Sequence, residues 1–237
     1  MWRTQPTFRN RAEAGRRLGD RLHHLKDADP VVLGLPRGGV VVAAAVAEAL
    51  EAPLDVLVVR KIGAPNQPEL ALGAVTDGEA PQRTLNDDLI ELTGVSEDWL
   101  EAETQRQLAE VRRRNEMYRH GRSGVEVAGR TVIVVDDGIA TGATVQAGLM
   151  GIRGRQRGPK KLVLAVPVAA PDSLERLREH VDEVVCLSTP EDFRAVGMFY
   201  DSFTQTTDEE VIALLDRFVR DEESQPRRHG GTEGEKG

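Results

Sequence analysis

Five short runs of branched apolar residues punctuate the chain. Within each run the apolar residues are consecutive and do not alternate with polar ones, and this pattern is typical of strands that are covered on both faces. Each run is also shorter than a usual buried helix. The pattern therefore predicts five strands, at residues 31–35, 54–60, 131–137, 161–168 and 182–188.

Helical patterns separate most of these runs. The segment 10–27 is predicted to be an amphipathic helix, with four apolar residues on one face: Ala14, Leu18, Leu22, Leu25. Three further helices are expected, from the PRGG segment to Leu50, at 142–154 and at 171–180. Strands that alternate with helices predict an α/β fold, a doubly wound and mainly parallel five-stranded sheet.

The interval 62–130 departs from this alternation. A segment rich in proline and glycine comes first, and two predicted helices follow it at 86–93 and 96–119. The interval has too few apolar residues for a core of its own, so we expect a helical and loop insertion over the rim of the sheet. One domain is then expected at 1–220, followed by a polar tail at 221–237 that is expected to be disordered.

Composition restricts the classes of function. The formal net charge of −8 argues against sequence-independent binding of nucleic acid, which needs a cationic face. Cys186 is the only cysteine, so neither an intramolecular disulfide nor a cysteine metal cluster can form. The longest clean apolar run, at 40–47, is too short to cross a bilayer, and the N-terminus has no apolar signal segment. We therefore expect a soluble cytoplasmic protein without a membrane partner.

The segment DDGIATGAT at 136–144 carries the clearest chemistry. Two carboxylates directly follow a predicted strand, and a glycine between two threonines comes before the next predicted helix. Free amides at a helix start bind phosphate, and carboxylates accept hydrogen bonds from sugar hydroxyls or bind a divalent cation. Such a turn can hold a ribose together with its terminal phosphate. The alternative is a simple helix cap, but one cap does not need two acids and two threonines.

Two more polar turns follow predicted strands. Arg37, Gly38 and Gly39 come after the first strand, and Arg60 and Lys61 come at the end of the second. Because ligands of parallel sheets bind beyond the carboxyl ends of the strands, we expect all three turns to meet at one rim. The alternatives are a tight turn with a solvent-facing arginine and ordinary charges at a strand end.

The order and spacing of these turns resemble those of the type I phosphoribosyltransferases. The segment 136–144 is similar to that family's loop for phosphoribosyl diphosphate (PRPP), and LPRGGV at 35–40 is similar to its diphosphate loop. The chain is most similar to small prokaryotic members that carry PRGG, VRKIG and DDGIATGAT and have no assigned substrate.

The resemblance implies a role for each turn. Asp136 and Asp137 would hold the ribose hydroxyls, and the 5′-phosphate would bind along the rest of the loop: Gly138, Ile139, Ala140, Thr141, Gly142, Ala143, Thr144. The diphosphate would face the other two turns: Arg37, Gly38, Gly39, Arg60, Lys61. The implied catalytic residues are Arg37, Lys61 and Asp137. The implied cofactor is Mg²⁺, bound mainly through PRPP and also by Asp136 and Asp137.

The expected reaction is Mg²⁺-dependent transfer of the 5-phosphoribosyl group from PRPP to a small nitrogenous base, with release of diphosphate. Ala140 stands where the hypoxanthine–guanine enzymes have an acidic residue as general base, so the loop is nearer to the adenine or xanthine type and does not identify the acceptor. A PRPP- or nucleotide-sensing regulator of the same fold is the alternative. An enzyme that makes PRPP is a third reading, which no nucleotide triphosphate motif supports. The expected partners are PRPP, the base and a second copy of the chain in a homodimer.

Four of the nine aromatic residues lie close together near the end of the chain: Phe193, Phe199, Tyr200, Phe203. Packing onto the core is expected for most of them, and Tyr200 is the candidate for stacking on the acceptor base.

Overall fold

The computed structural model describes residues 7–76 and 82–224. Within these ranges it contains eight strands: β1 (Pro30–Gly34), β2 (Leu54–Val56), β3 (Val59–Ala64), β4 (Gln67–Thr76), β5 (Gln82–Leu85), β6 (Thr131–Val135), β7 (Lys161–Val168) and β8 (Glu183–Ser188). It also contains seven α-helices: α1 (Arg11–Leu22), α2 (Gly38–Leu50), α3 (Asp87–Thr93), α4 (Glu97–Arg119), α5 (Ala143–Arg153), α6 (Pro171–Arg178) and α7 (Asp208–Ser224). No helix in these ranges has the length and apolar character needed to span a membrane.

Five strands form the main sheet in the order β2–β1–β6–β7–β8, and all of them are parallel. Successive residues of β6 face opposite sides. Val132 and Val134 pack with the apolar side chains of α5 and α6, whereas Ile133 and Val135 pack with those of α1 and α2. β6 therefore has no polar face, which explains its uninterrupted apolar run. The predicted doubly wound sheet is confirmed.

The predicted strand at 54–60 is divided between two sheets. β2 stops at Val56, opposite Gly34 at the end of β1, and the pairing finishes with the hydrogen bond from Leu57 N to Gly34 O at 2.9 Å. The chain then leaves the main sheet, and β3 starts a separate antiparallel sheet with β4 and β5. The prediction of a single strand was wrong because the apolar run continues through Leu57 and Val58, which are both buried. The hydrophobic pattern of the sequence therefore does not show where the chain leaves the main sheet and joins the second one.

The insertion contains more regular structure than predicted. Helices α3 and α4 lie close to their predicted bounds, but the proline- and glycine-rich part forms the hairpin of β3 and β4. This hairpin turns at Asn66, which has a φ of 62°. Its side chains Ile62, Leu72 and Val75 join the apolar layer of the main sheet. The insertion therefore packs directly onto the main core.

Helix α7 is absent from the predicted elements. It begins with a capping box, in which the Thr207 hydroxyl accepts from Glu210 N at 3.2 Å and the Glu210 carboxylate accepts from Thr207 N at 2.8 Å. Val211 and Leu215, four residues apart, are buried in the main core. This capping pattern before an apolar i,i+4 pair was a usable sequence signal. The helix extends to Ser224, so the start of the expected tail is helical, and residues 225–237 lie outside the described ranges.

Helix α5 packs against the main sheet and the hairpin at the same time. Two glycines on its inner face make this close approach feasible. A Cβ atom at Gly148 would lie 2.9 Å from Leu57 Cδ2, and a Cβ atom at Gly151 would overlap the side chain of Thr76 in β4. The helix that follows the 136–144 loop is therefore held between the main sheet and the insertion.

Replacing Gly151 with alanine tests this packing. Alanine favours a helix over glycine by about 1 kcal/mol. We nevertheless expect G151A to lower the free energy of unfolding by about 1–3 kcal/mol, because its methyl group overlaps Thr76. Urea denaturation followed by circular dichroism measures the change. Gly158→Ala is the control, since its Cβ would lie 3.8 Å from the nearest backbone oxygens. A G151A variant as stable as the wild type would contradict the close packing.

Candidate active site

Two of the predicted turns leave the main sheet side by side. β1 and β6 are neighbours, and Gly34 lies opposite Val135 at their carboxyl ends. Leu35 N donates to Val135 O at 2.9 Å, so the pairing continues one residue past the end of β1. The chain enters the PRGG turn from one strand and the 136–144 loop from the other. Parallel topology thus places the two turns at the same edge.

Two glycines allow these turns to touch. A Cβ atom at Gly39 would lie 2.9 Å from both Asp136 Cα and Val135 O, and a Cβ atom at Gly38 would overlap the carboxylate of Asp137. Any larger residue would therefore separate the turns or displace a carboxylate. The start of α2 and the two acids form one continuous surface.

The carbonyl groups of the 136–144 loop are bound by neighbouring elements. Four groups donate to them: Tyr200 Oη to Asp137 O at 2.6 Å, Ala170 N to Ile139 O at 2.9 Å, Ser173 Oγ to Ala140 O at 2.6 Å and the Arg176 guanidinium to Thr141 O at 3.4 Å. Across a trans peptide bond the N–H points away from the C=O. Binding these carbonyls therefore directs the amides that follow them to the opposite side.

Those amides have the arrangement that an anion needs. Within the described part of the chain, the amides of residues 140–144 donate to no protein acceptor. They lead into α5 through Gly142, whose φ is 77°, and the side chains of Thr141 and Thr144 are exposed beside them. Unpaired amides at a helix start, together with the positive end of the helix dipole, favour a phosphate group.

Asp136 and Asp137 are adjacent, partly buried carboxylates. Burial raises the pKa of Asp136 well above its usual range, and the charge of Asp137 raises it further. Burial also raises the pKa of Asp137, whereas a hydrogen bond from Arg11 opposes the rise. Arg11 Nε lies 2.7 Å from Asp137 Oδ2. Sequence reasoning missed Arg11, because it precedes Asp137 by 126 positions and looks like an ordinary charge on an amphipathic helix.

A divalent cation fits this pair together with a phosphorylated ligand. One oxygen of each carboxylate is engaged, Asp136 Oδ1 by Asp137 N at 2.8 Å and Asp137 Oδ2 by Arg11. The described residues contain no group of three acidic, histidine or cysteine side chains that could hold a metal. Mg²⁺ is commonly bound by one or two carboxylates together with substrate phosphates. The donor set therefore suits Mg²⁺ that arrives with its ligand.

Arg37 and Lys61 lie on different elements. Arg37 precedes Gly38 at the start of α2, and its partly exposed guanidinium lies 3.9 Å from the Asp208 carboxylate of α7. Lys61 lines a cavity of about 390 Å³ that Ala143, the first residue of α5, also lines. Their predicted contacts with a diphosphate stay predictions.

Arg60 contacts helix α4. Its Nε donates to Gln107 Oε1 at 3.1 Å. Arg60 and Lys61 also line one cavity together with Gln107. The predicted contact of Arg60 with a diphosphate stays a prediction.

The structure also corrects the interpretation of Tyr200 as a base-stacking residue. Tyr200 is only 4% exposed, and its ring centroid lies 5.4 Å from that of Phe8 and 5.0 Å from that of Phe203. Burial raises the pKa of its hydroxyl, which donates to the loop. No face of the ring is left for a planar ligand. Tyr200 supports the backbone of the loop instead.

Comparison with known protein families matches residues 9–202 to the phosphoribosyl transferase domain. The chain belongs to the phosphoribosyl transferase family. The match covers the three polar turns and both sheets, and it places the chain in a family of transferase enzymes. The resemblance drawn from the sequence is confirmed.

Named relatives support this membership. Two proteins of Mycobacterium tuberculosis, "Putative phosphoribosyl transferase MT0597" (strain CDC 1551 / Oshkosh) and "Putative phosphoribosyl transferase Rv0571c" (strain ATCC 25618 / H37Rv), are each 51% identical over 214 residues. The aligned part is 90% of this chain and 47% of each relative, so the chain spans about half the length of these curated relatives. TT1426 from Thermus thermophilus, a protein with a known crystal structure, is 46% identical to this chain in sequence, and the two structures superpose with a TM-score of 0.79. The match covers 89% of this chain and 98% of TT1426.

Replacing Tyr200 with phenylalanine tests its support of the loop. The variant keeps the ring but leaves the Asp137 carbonyl without its donor, so we expect the free energy of unfolding to fall by about 1–2 kcal/mol. Urea denaturation measures the difference. Ser202→Ala is the matched control, because it removes an exposed hydroxyl from the same segment. If Y200F and S202A were equally stable, the assigned hydrogen bond would contribute nothing.

Proposed function

We propose that this protein transfers the 5-phosphoribosyl group from PRPP to a small nitrogenous base and releases diphosphate, with Mg²⁺ as cofactor. The contact between the Asp136–Asp137 turn and the Gly38–Gly39 turn carries the proposal. Through this contact the two carboxylates, which can accept hydrogen bonds from hydroxyl groups, lie between two groups of backbone N–H donors, one at the start of α2 and one at the start of α5. PRPP has the same order of groups, with its ribose hydroxyls between a diphosphate and a 5′-phosphate.

Each end of the ligand is assigned to one helix start. The 5′-phosphate would bind the amides of residues 140–144 and the hydroxyls of Thr141 and Thr144. The diphosphate would bind near Gly38 and Gly39, where a side chain would block its approach to the backbone. The oxygens of Asp136 and Asp137 that make no hydrogen bond to the described residues would accept from the ribose hydroxyls.

The charges explain how binding would lead to reaction. Breaking the bond to diphosphate leaves positive charge on the sugar and gathers negative charge on the leaving group. Arg37, directly before Gly38, would stabilise that negative charge as a fixed positive group. The resemblance gives Lys61 the same role, although the cavity that Lys61 lines adjoins the start of α5. Mg²⁺, held by Asp136, Asp137 and the ligand, would supply further positive charge there. Holding the sugar at both ends keeps its anomeric carbon in place for the acceptor.

A PRPP- or nucleotide-sensing regulator is the second candidate. Ala140, which is exposed, favours it, because the loop then supplies no acid–base group beside the acceptor. A cation at the proposed diphosphate site favours catalysis, since a sensor needs the ribose-phosphate site more than the leaving-group site. Arg37, next to Gly38 at the start of α2, is therefore the reason to prefer the transferase. The acceptor and the homodimer stay predictions.

A diphosphate-release screen distinguishes the two candidates. The protein is incubated with PRPP, Mg²⁺ and a panel of purines, pyrimidines and pyridine carboxylates, with calorimetry of PRPP binding in parallel. Release with one class of base, abolished by a chelator of Mg²⁺, would support the transferase. Tight binding of PRPP without release on any base would support the sensor. Absence of PRPP binding would contradict both.

Changing Asp136 and Asp137 together to asparagine tests the assignment of the sugar. We expect the double variant to lose PRPP binding by at least about a hundredfold, since two charged acceptors become neutral amides, each with one oxygen replaced by a donor NH₂. It should keep its circular dichroism spectrum and melt cooperatively. The control is D20N/D27N, which makes the same change of charge at two exposed positions. Unchanged PRPP affinity in D136N/D137N would remove the role given to the pair.

A further inference from the structure

Arg11 of α1 reaches the pair of carboxylates. Its Nε lies 2.7 Å from Asp137 Oδ2, and both side chains are largely buried, with exposed fractions of 11% and 16%. A shielded and hydrogen-bonded pair of this kind is stronger than an ion pair on the surface. Arg11 therefore belongs to the surroundings of Asp137 and not to the solvated face of its helix.

The guanidinium of Arg11 is held on two further sides. One of its terminal nitrogens donates to Thr204 O at 2.7 Å, and its carbon lies 3.8 Å from the centroid of the Phe203 ring. Both partners belong to the segment between β8 and α7. These contacts fix the side chain in the absence of any ligand, so it is prepared to hold Asp137 in one orientation.

The same guanidinium lies where the two turns meet. A Cβ atom at Gly38 would lie 2.7 Å from Arg11 Nε, and it would also overlap the carboxylate of Asp137. Arg11 therefore adjoins both the proposed sugar site and the proposed diphosphate site. Two adjacent carboxylates without a cation would repel each other and would also repel an anionic ligand.

We propose that Arg11 is a positioning residue of the sugar site, which binds one oxygen of Asp137 and leaves the other oxygen to accept from a ribose hydroxyl. This role rests on the proposed function. Arg11 offsets one of the two negative charges without covering the whole carboxylate. It acts through Asp137, and its loss is expected to weaken recognition of the hydroxyls in particular.

Arg17 provides a matched comparison on the same helix. Its guanidinium lies 4.8 Å from the centroid of the Phe8 ring, and it donates to Thr7 O at 2.9 Å. It thus repeats two of the contacts of Arg11, one with a ring and one with a carbonyl, without the contact to Asp137. R17Q therefore reports what the loss of a structural arginine does to this region.

The test compares two ligands that differ by one hydroxyl, ribose 5-phosphate and 2-deoxyribose 5-phosphate. Calorimetry measures both affinities for the full chain of the wild type, R11Q and R17Q. A hydrogen bond to a charged acceptor is worth about 1.5–3 kcal/mol, so we expect the wild type to prefer ribose 5-phosphate by at least about tenfold. R11Q should lose most of that preference, while R17Q should keep it.

The ratio of the two affinities separates positioning from general support of the fold. A merely structural role would weaken both sugars equally and leave the ratio unchanged, and that result in R11Q would overturn the proposal. If R11Q does not fold, the R11K variant is used in its place. We expect a smaller fall in the affinity ratio for R11K, because lysine keeps the positive charge but lacks the planar guanidinium of arginine. An unchanged ratio in R11K would equally overturn it.

Failure of the proposed function gives a different result. A wild-type chain that binds neither sugar phosphate would contradict the proposed function and the role of Arg11 together. A wild-type chain that binds both sugars equally well would contradict the assignment of Asp136 and Asp137 to the hydroxyls. Only a wild-type preference that survives in R11Q would contradict Arg11 alone.

Discussion

The contact between the turn after β1 and the turn after β6 is the constraint on which the rest of the site depends. Parallel pairing brings the two strand ends together, but side chains at both turns would keep the loops apart. Gly38 and Gly39 remove those side chains from one turn, so Asp136 and Asp137 can lie directly against its backbone. The two carboxylates then adjoin the start of α2 and, through their own loop, lead to the start of α5.

The direction of the hydrogen bonds in the 136–144 loop links the fold to the anion site. Side chains that look unrelated to phosphate, such as Tyr200 and Ser173, bind carbonyls of this loop. Each bound carbonyl directs the next amide away from the body of the protein. The proposed phosphate site is therefore shaped by residues that are not expected to contact the phosphate. Their replacement is expected to act through the shape of the loop.

Helix α5 makes the insertion part of this site. It starts at the end of the 136–144 loop, packs on the main sheet and meets the hairpin through Gly148 and Gly151. Lys61 comes from that hairpin and lines the cavity beside the start of α5. A displacement of α5 would therefore change the anion site and the position of Lys61 together. The two sheets share one helix, and the site lies at its first residues.

The sequence alone determined the strands of the main sheet and the chemistry of the 136–144 loop. Strands buried on both faces have a distinctive apolar run, and the loop keeps its acids, glycine and threonines within one contiguous stretch. Only the tertiary structure decided the contacts of Arg11, Arg60 and Tyr200. These contacts depend on the direction of each side chain and on partners distant in the chain, and local patterns carry no information on either. For the same reason the break between β2 and β3 inside one apolar run became visible only when the strand partners were known.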